Sequence, residues 1–238
     1  MRYEQPNTRI QVIQKGLIDY KEAWEFQESI FNELTETKVH NRELDHQVPV
    51  PNYLIVCEHP PVYTLGKSGS DSNLLVNQEQ LDEIGATFYR INRGGDITHH
   101  GPGQLVMYPI FDLENFFTDI HQYLRFLEEA VICTLASYDI LAGRYNGFTG
   151  VWIDPETPRA RKICAMGVRC GRWITMHGLA LNVNNQLDYF NNIIPCGISD
   201  HAVTSIAKEL GGTSPSLQSV ADKLAEEIAT MFGAELLK

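Results

Sequence analysis

Cysteine is a side chain that can serve as a nucleophile, provided that it is accessible and reacts as the thiolate. The five cysteines are Cys57, Cys133, Cys164, Cys170 and Cys196. They cannot all pair within one chain and none forms a C-x-x-C pair, so neither a disulfide framework nor a zinc site is suggested. Cys57 closes the apolar run Tyr53-Leu54-Ile55-Val56-Cys57 and Cys133 lies in a helical pattern, so both read as small core residues. Cys164 and Cys170 fall in or beside a strand. Cys196 stands apart, in Ile193-Ile194-Pro195-Cys196-Gly197-Ile198, a sharp turn with little local bulk. A thiol there is either inert or an accessible nucleophile, and residue type alone does not choose.

A nucleophilic cysteine needs a group that takes its proton or stabilises its thiolate. His59, His99, His100, His121, His177 and His201 qualify by type, as does a lysine whose pKa burial has pulled down. Lys162 opens Lys162-Ile163-Cys164-Ala165-Met166-Gly167-Val168, whose small and apolar residues read as a buried strand. It is either an edge residue reaching for solvent or a desolvated functional group.

The stretch Arg93-Gly94-Gly95-Asp96-Ile97-Thr98-His99-His100-Gly101-Pro102-Gly103-Gln104 lies between two strand-like runs, Ala86 to Ile91 and Leu105 to Ile110. It is longer than a plain hairpin requires. Its glycines permit close backbone approach by a ligand. It reads as a binding loop or as a long hairpin. Met176-His177-Gly178-Leu179-Ala180-Leu181-Asn182 carries small residues where a central strand prefers bulk. They leave room for a ligand or pack closely against a helix.

Elements must position these residues. A strand is expected at Ile10 to Gln14. Asp19 caps a helix over Tyr20 to Thr37, with Ala23, Phe26, Ile30 and Leu34 on one face. Lys38 to Asn52 reads as a loop and Leu74 to Gly85 as a short crossover. A second helix runs from about Asp119 to Ser137. Strand-like runs follow at Gly150 to Ile153, Lys162 to Val168 and Trp173 to Val183. Ser214-Pro215 reads as the start of a last helix, which Gly233 ends. Strands and helices do not alternate regularly, which disfavours a doubly wound parallel sheet. The expectation is an α+β fold, a single domain over 1–238, with a central, mostly antiparallel mixed sheet flanked by helices.

Hydrophobic residues make up 43% and charged residues 21% of the 238, ordinary for a globular protein. The net charge of −11 argues against a nucleic-acid partner. Neither a signal region nor a membrane span is visible, so no membrane association and a cytoplasmic location are expected.

Four motifs in order carry a resemblance: Arg93-Gly94-Gly95-x-x-Thr98-x-His100-Gly101-Pro102-Gly103-Gln104 with Tyr108-Pro109; Lys162-x-x-Ala165-x-Gly167-Val168-Arg169; His177 to Asn182; and Pro195-Cys196-Gly197. The chain resembles the octanoyl-acyl carrier protein:protein octanoyltransferases, or lipoyl(octanoyl) transferases, of the biotin/lipoate protein ligase superfamily. The likeness spans Glu58-His59-Pro60-Pro61 to Val203-Thr204-Ser205. His99 departs from it, standing where the family often has an aromatic residue.

The resemblance implies a biotin/lipoate protein ligase-like fold. It implies Cys196 as the nucleophile that forms an acyl thioester, and Lys162 as the group that lowers its pKa and acts as acid and base. Arg93, Gly94, Gly95, Asp96, Ile97, Thr98, His99, His100, Ala165, Met166, Gly167, Gly178, Leu179 and Ala180 would line the acyl site. The donor would be an octanoyl thioester on the phosphopantetheine of an acyl carrier protein. The acceptors would be lysines of lipoyl domains in 2-oxoacid dehydrogenase E2 subunits and of the glycine cleavage H protein. Exchange of one thioester for another is nearly neutral and thioester to amide runs downhill, so no ATP and no metal are expected. Three other readings compete: an ATP-dependent lipoate–protein ligase, an amidotransferase between lipoyl domains, and a non-catalytic acyl-binding protein. Because carrier proteins are acidic, a local basic patch is expected, drawn from Lys67, Arg90, Arg144, Arg159, Arg161, Arg169 and Arg172.

Overall fold

The structure, a computed structural model, describes residues 5–43, 48–194 and 202–237, without the side chain of Arg42. In chain order the elements are β1 (Arg9–Leu17), α1 (Tyr20–His40), β2 (Asn52–Glu58), β3 (Val62–Leu65), α2 (Gln78–Glu83), β4 (Thr87–Arg90), β5 (Ile97–His100) and β6 (Gln104–Ile110). Then come α3 (Ile120–Ala136), β7 (Gly143–Tyr145), β8 (Phe148–Ile153), β9 (Arg161–Gly171), β10 (Ile174–Asn182), β11 (Ala202–Val203), α4 (Ile206–Glu209), α5 (Leu217–Phe232) and β12 (Glu235–Leu237).

The large sheet runs β12-β1-β2-β6-β10-β9-β8-β7, with β11 on β9. The pairs from β2 through β7 are antiparallel, whereas β1 pairs β2 and β12 in parallel and β11 joins β9 in parallel. A second, small sheet has the order β4-β3-β5. This is the expected mostly antiparallel mixed sheet with flanking helices.

β6 shows why the sequence folds this way. All seven of its residues are buried, because both faces of the sheet are covered. Leu105 and Met107 point into the core shared with Leu127 and Val131 of α3 and Leu224 and Ile228 of α5. Val106 and Tyr108 point into the core against Ile30 and Leu34 of α1. Strand alternation thus places apolar residues on both faces, and the strand reads as an unbroken apolar run. Each such burial is worth about 1.5–3 kcal/mol.

Pro109 cannot donate to a ladder. The β6–β10 pairing runs from Asn182↔Gln104 to Leu179↔Met107 and stops there. Beyond it His177 takes φ 60°, and its N–H is taken by Gln27 Oε1 of α1 at 3.1 Å. Gln27, a buried glutamine of α1, therefore takes the N–H of β10 that lies beyond the ladder with β6.

Boundaries differ from expectation in identifiable ways. α1 begins where Asp19 caps it, accepting from the N–H groups of Lys21 and Glu22 at 2.8 and 3.3 Å. It continues past Thr37 to His40, where Lys38 finds the buried carboxylate of Asp112 at 2.6 Å and the half-buried one of Glu114 at 2.9 Å. The cap of α5 is Ser216, two residues beyond Ser214, and Gly233 ends that helix at φ 61°. The presumed loop from Arg93 to Gln104 contains β5, which pairs with β3. β7 and β12 are short strands that the sequence reading did not separate from loops.

Candidate active site

A cavity of about 450 Å³ opens beside β9 and β10. Most of its wall comes from the stretch from Arg93 to His100, the facing strands β9 and β10, the β7–β8 hairpin with Leu124 of α3, and Ala202–Val203 of β11. Arg93, Gly94, Gly95, Asp96, Ile97, Thr98, His100, Lys162, Ala165, Met166, Gly167, Gly178, Leu179 and Ala180 all line it.

The glycine-bearing stretch lies directly on β9. Gly94 N–H donates to Val168 O at 2.9 Å. The buried Arg93 guanidinium donates through Nη2 to Thr64 O (2.7 Å) and Thr64 Oγ1 (3.1 Å), and through Nη1 to Gly94 O (3.0 Å). A Cβ on Gly167 would stand 2.8 Å from Gly94 O, so this approach needs glycine. Across the ladder Gly178 pairs with Gly167, and a Cβ there would collide with Met107 O. The small residues of β10 therefore serve close packing as well as the cavity.

Asp96 lines the cavity, but its carboxylate is committed within the protein. Oδ1 accepts from Ile97 N–H at 2.7 Å and Oδ2 from Asn73 Nδ2 at 2.6 Å. Asn73 O in turn accepts from Ile194 N–H at 2.9 Å. Asp96 thus ties the glycine stretch to the residue that leads into 195–201.

His99 is the exception among the expected lining residues: it does not face the cavity. It stacks on Tyr189 (4.7 Å between centroids) and lies edge-on to Phe190 (5.5 Å), with Tyr63 at 5.1 Å. Burial lowers its pKa to about 3, so it is a neutral, flat ring in an aromatic packet. That accounts for a histidine at a position suited to an aromatic residue.

His100 behaves differently. Gln104 donates through Nε2 to His99 O (3.1 Å) and Asn182 Oδ1 (2.9 Å), which leaves its Oε1 to accept from His100 Nδ1 (2.8 Å). Asn182 Nδ2 donates to Thr204 O (2.9 Å), and Thr204 N–H donates to Lys162 O (2.9 Å). A buried amide chain thus joins His100 to the backbone of Lys162. Burial, with His59 and Arg93 nearby, holds the His100 pKa well below its usual value. His177 pairs through Nε2 with Asn92 Oδ1 (2.7 Å), and burial with Arg93 and Arg169 beside it lowers its pKa to about 3.

Lys162 sits near the start of β9, where β8 flanks it as Trp152↔Lys162 and β11 as Val203↔Lys162. Its Nζ lies 4.6 Å from the centroid of the Trp152 ring. The expected nucleophile, Cys196, lies outside the described residues, as does His201. The described flanks of its segment are Ile194, bonded to Asn73, and Ala202, which lines the cavity and pairs with Arg161. Cys57 and Cys164 are buried, and burial pushes both thiols up, out of reach of nucleophilic use. Among the described residues no three His, Cys, Asp or Glu side chains gather as a metal ion would require. No helix among them is long and apolar enough to cross a membrane.

Sequence reasoning missed Tyr20, Leu124, Phe148, Trp152 and Phe190 as cavity residues. Tyr20 and Leu124 read as helix residues like any others. Tyr108 was visible in the motif beside Pro109, without a role. It is buried and lines the cavity with Tyr20; since His59 Nδ1 donates to Ile18 O (2.8 Å), the Tyr108 hydroxyl donates to His59 Nε2 (2.7 Å).

The fold and site fit one family. Residues 19–229 match the model of the lipoyl protein ligase A/B catalytic domain, and the chain belongs to that family. Within it, the octanoyltransferase of Christiangramia forsetii is 57% identical over 230 residues, covering 97% of this chain and 98% of that protein. The octanoyltransferase of Cytophaga hutchinsonii is 57% identical over 233 residues, covering 97% and 95%. The crystal structure of lipoate-protein ligase A bound with ATP superimposes with a TM-score of 0.68 at 14% identity, covering 98% of this chain and 88% of that one. A bipartite lipoate protein ligase from Thermoplasma acidophilum gives 0.67 at 15% identity, covering 98% and 88%. The ligases share the fold; the transferases share the sequence.

Proposed function

We propose that the enzyme takes an octanoyl group from an octanoyl-acyl carrier protein thioester onto Cys196 and passes it to a lysine of a lipoyl domain, with Lys162 handling the proton. Relatives 57% identical over nearly the whole chain are octanoyltransferases, so the chain is an octanoyl-transferring enzyme of lipoate biosynthesis and protein lipoylation. The observation that carries the finer reading is the register of β11 on β9. The segment containing Cys196 re-enters the described chain at Ala202, and the next residue, Val203, pairs with Lys162 at the cavity wall.

In the first half-reaction the Cys196 thiolate attacks the thioester carbonyl. The bond to the pantetheine sulfur breaks, and the Lys162 ammonium protonates the departing thiolate. In the second, the acceptor amine attacks, a C–N bond forms, the bond between the acyl carbon and Cys196 Sγ breaks to return the thiolate, and Lys162 takes the amine's proton. A thioester becomes an amide, which runs downhill without ATP. Leu124, Phe148, Met166, Val168, Leu179 and Val203 give the cavity apolar walls. Each octanoyl methylene buried there favours binding by about 0.8 kcal/mol. The stretch from Arg93 to Thr98, His100, Ala165 to Gly167 and Gly178 to Ala180 would hold the acyl group, and His99 would support them from behind. E2 lipoyl domains and the glycine cleavage H protein are the expected acceptors, in the cytoplasm. The ATP-dependent reading draws on the ligase fold alone, whereas sequence similarity favours the transferase.

Intact mass spectrometry after incubation with octanoyl carrier protein, without ATP, tests this. The expected result is one octanoyl adduct that disappears when a lipoyl domain is added. An adduct on Cys57, Cys133, Cys164 or Cys170, or a need for ATP, would overturn it.

A further inference from the structure

We infer that Trp152 is a positioning residue for the reaction, holding the Lys162 side chain against its indole face. The inference rests on the reading above that Lys162 serves Cys196. Trp152 is buried, and Lys162 Nζ lies 4.6 Å from its ring centroid. At that distance the ring's negative face attracts a cation, and tryptophan does so better than tyrosine or phenylalanine. A long lysine side chain has many rotamers. One cationic head held on a flat face loses most of that freedom before substrate arrives.

The frame beneath this contact is built, not incidental. Tyr145 and Phe148 of the β7–β8 hairpin pack on Trp152 with centroids at 5.3 and 6.0 Å, and on each other at 5.0 Å. Gly150 takes φ 113°, and a Cβ there would touch Cys164 O at 2.5 Å and the Lys162 Cε at 3.7 Å. The lysine stem thus passes over a bare backbone before reaching the indole. Gly150 N–H donates to Glu128 Oε1 of α3 at 3.0 Å. Glu128 is fully buried, and its Oε2 accepts from Arg125 (2.6 Å) and Arg144 (3.0 Å). α3, the Gly150 backbone and the indole are therefore one unit with Lys162 laid across it.

Charged and titratable groups of the described residues come to the surroundings of Lys162 from three elements. α3 supplies Glu128, already shared by two arginines. Its own strand supplies the buried Cys164 thiol and Arg161, and α4 supplies Glu209, bonded to Arg161 at 2.5 and 2.7 Å. β8 supplies the uncharged indole. Trp152 meets the lysine head without bringing a charge that competes with a thiolate. Held there as an ammonium, Lys162 stabilises a thiolate and still has its proton to give.

The test is the pH dependence of Cys196 alkylation by iodoacetamide, resolved by peptide mass, in the full-length enzyme. Wild type should show a midpoint below that of an ordinary thiol near ~8.5. Trp152→Phe should move it upward and Trp152→Leu further, with alkylation at pH 7 slowed about three- and tenfold. Octanoyl transfer should slow in parallel and recover at alkaline pH. In a Lys162→Ala background neither substitution should move the midpoint further. If Trp152→Leu does not fold, Trp152→Phe against wild type carries the same test. An unchanged midpoint in a folded Trp152 variant, with Lys162→Ala shifting it, would overturn the inference and leave the dyad standing. An unchanged midpoint in Lys162→Ala would instead sink the dyad itself.

Discussion

The two sides of the cavity are built on opposite principles. On the side of the small sheet and the glycine stretch, the polar residues are locked. His59, His99, His100 and His177 are all buried. Three have named partners for at least one ring nitrogen, and His99 is sandwiched among aromatic rings. Burial lowers the pKa of each, to about 4 for His59 and about 3 for His99 and His177. On the β8–β9 side, the reactive candidate is a single lysine head on an indole, at a place where three strands meet. Four histidines suggest acid–base chemistry, yet a group that stays neutral across physiological pH gives shape and hydrogen bonds, not protons. On the proposed assignment, a site rich in histidine leaves its proton transfer to a lysine.

The comparison breaks most visibly on the reactive side. Cys196→Ala should abolish transfer, and Lys162→Ala should slow acylation by about 10²-fold or more at pH 7, with recovery at higher pH where the thiolate forms unaided. His99→Phe should keep near-normal turnover, since it exchanges one flat ring for another; a hundredfold loss would show that the locked side holds a chemical group after all. Steady-state kinetics with octanoyl carrier protein distinguish these outcomes.

The packing of the two sides against each other gives the next effect. Gly167→Val would drive a side chain into Gly94 O and the Arg93 stem, and Gly178→Val into Met107 O. Both should cost several kcal/mol, on the order of other overpacked core sites. Among the described residues a Cβ at Gly94 meets Val168 O at 3.3 Å, a looser contact, so Gly94→Val should be the mildest of the three. Acyl binding by a folded Gly167→Val protein at wild-type affinity would show that the glycine stretch need not lie on β9.

The locked histidines predict an acid response. Each has a folded pKa below its unfolded value, so the unfolded chain binds more protons in acid. Their contribution is fully present above about pH 6.5 and is lost as pH falls toward 4 and then 3. Melting temperature should be flat near neutrality and fall below pH 6.5, and His99→Phe should flatten part of that slope. A slope unchanged by the substitution would place the titration elsewhere.

The smallest effect concerns docking. The expected basic patch is largely neutralised within the molecule: Arg90 pairs with Asp71, Arg144 with Glu128 and Glu129, Arg159 and Arg161 with Asp154, and Arg169 with Glu28. With a net charge of −11 besides, kcat/KM for the carrier-protein donor should depend on salt only about two- to threefold between low and physiological ionic strength. A tenfold fall would restore a steering patch.

Much of this was legible in the residues. The apolar runs of β2, β6, β9 and β10 and the face of α1 carried the sheet and its helical cover, because buried strands and one-sided helices leave periodic marks. The motif residues converged on one cavity because glycine at 167 and 178 and the glycine stretch meet across a ladder. Tyr20, Leu124 and Trp152 were not legible as a group: long-range pairing joins them, and nothing local to each residue marks it. Ser216 was hidden behind Ser214-Pro215, since two serines beside a proline offer equivalent caps. The commitment of Asp96 to Asn73, 23 residues away, follows from loop docking that no spacing reveals.

The most direct test of the account is the kinetic competence of the acyl-enzyme. Octanoyl-enzyme, isolated free of ATP and donor and carrying its adduct on Cys196, is mixed with a lipoyl domain, and the rate of amide formation is compared with kcat. The account predicts discharge at least as fast as turnover, in the wild type at neutral pH. Discharge slower than turnover, or none until ATP is added, would contradict it.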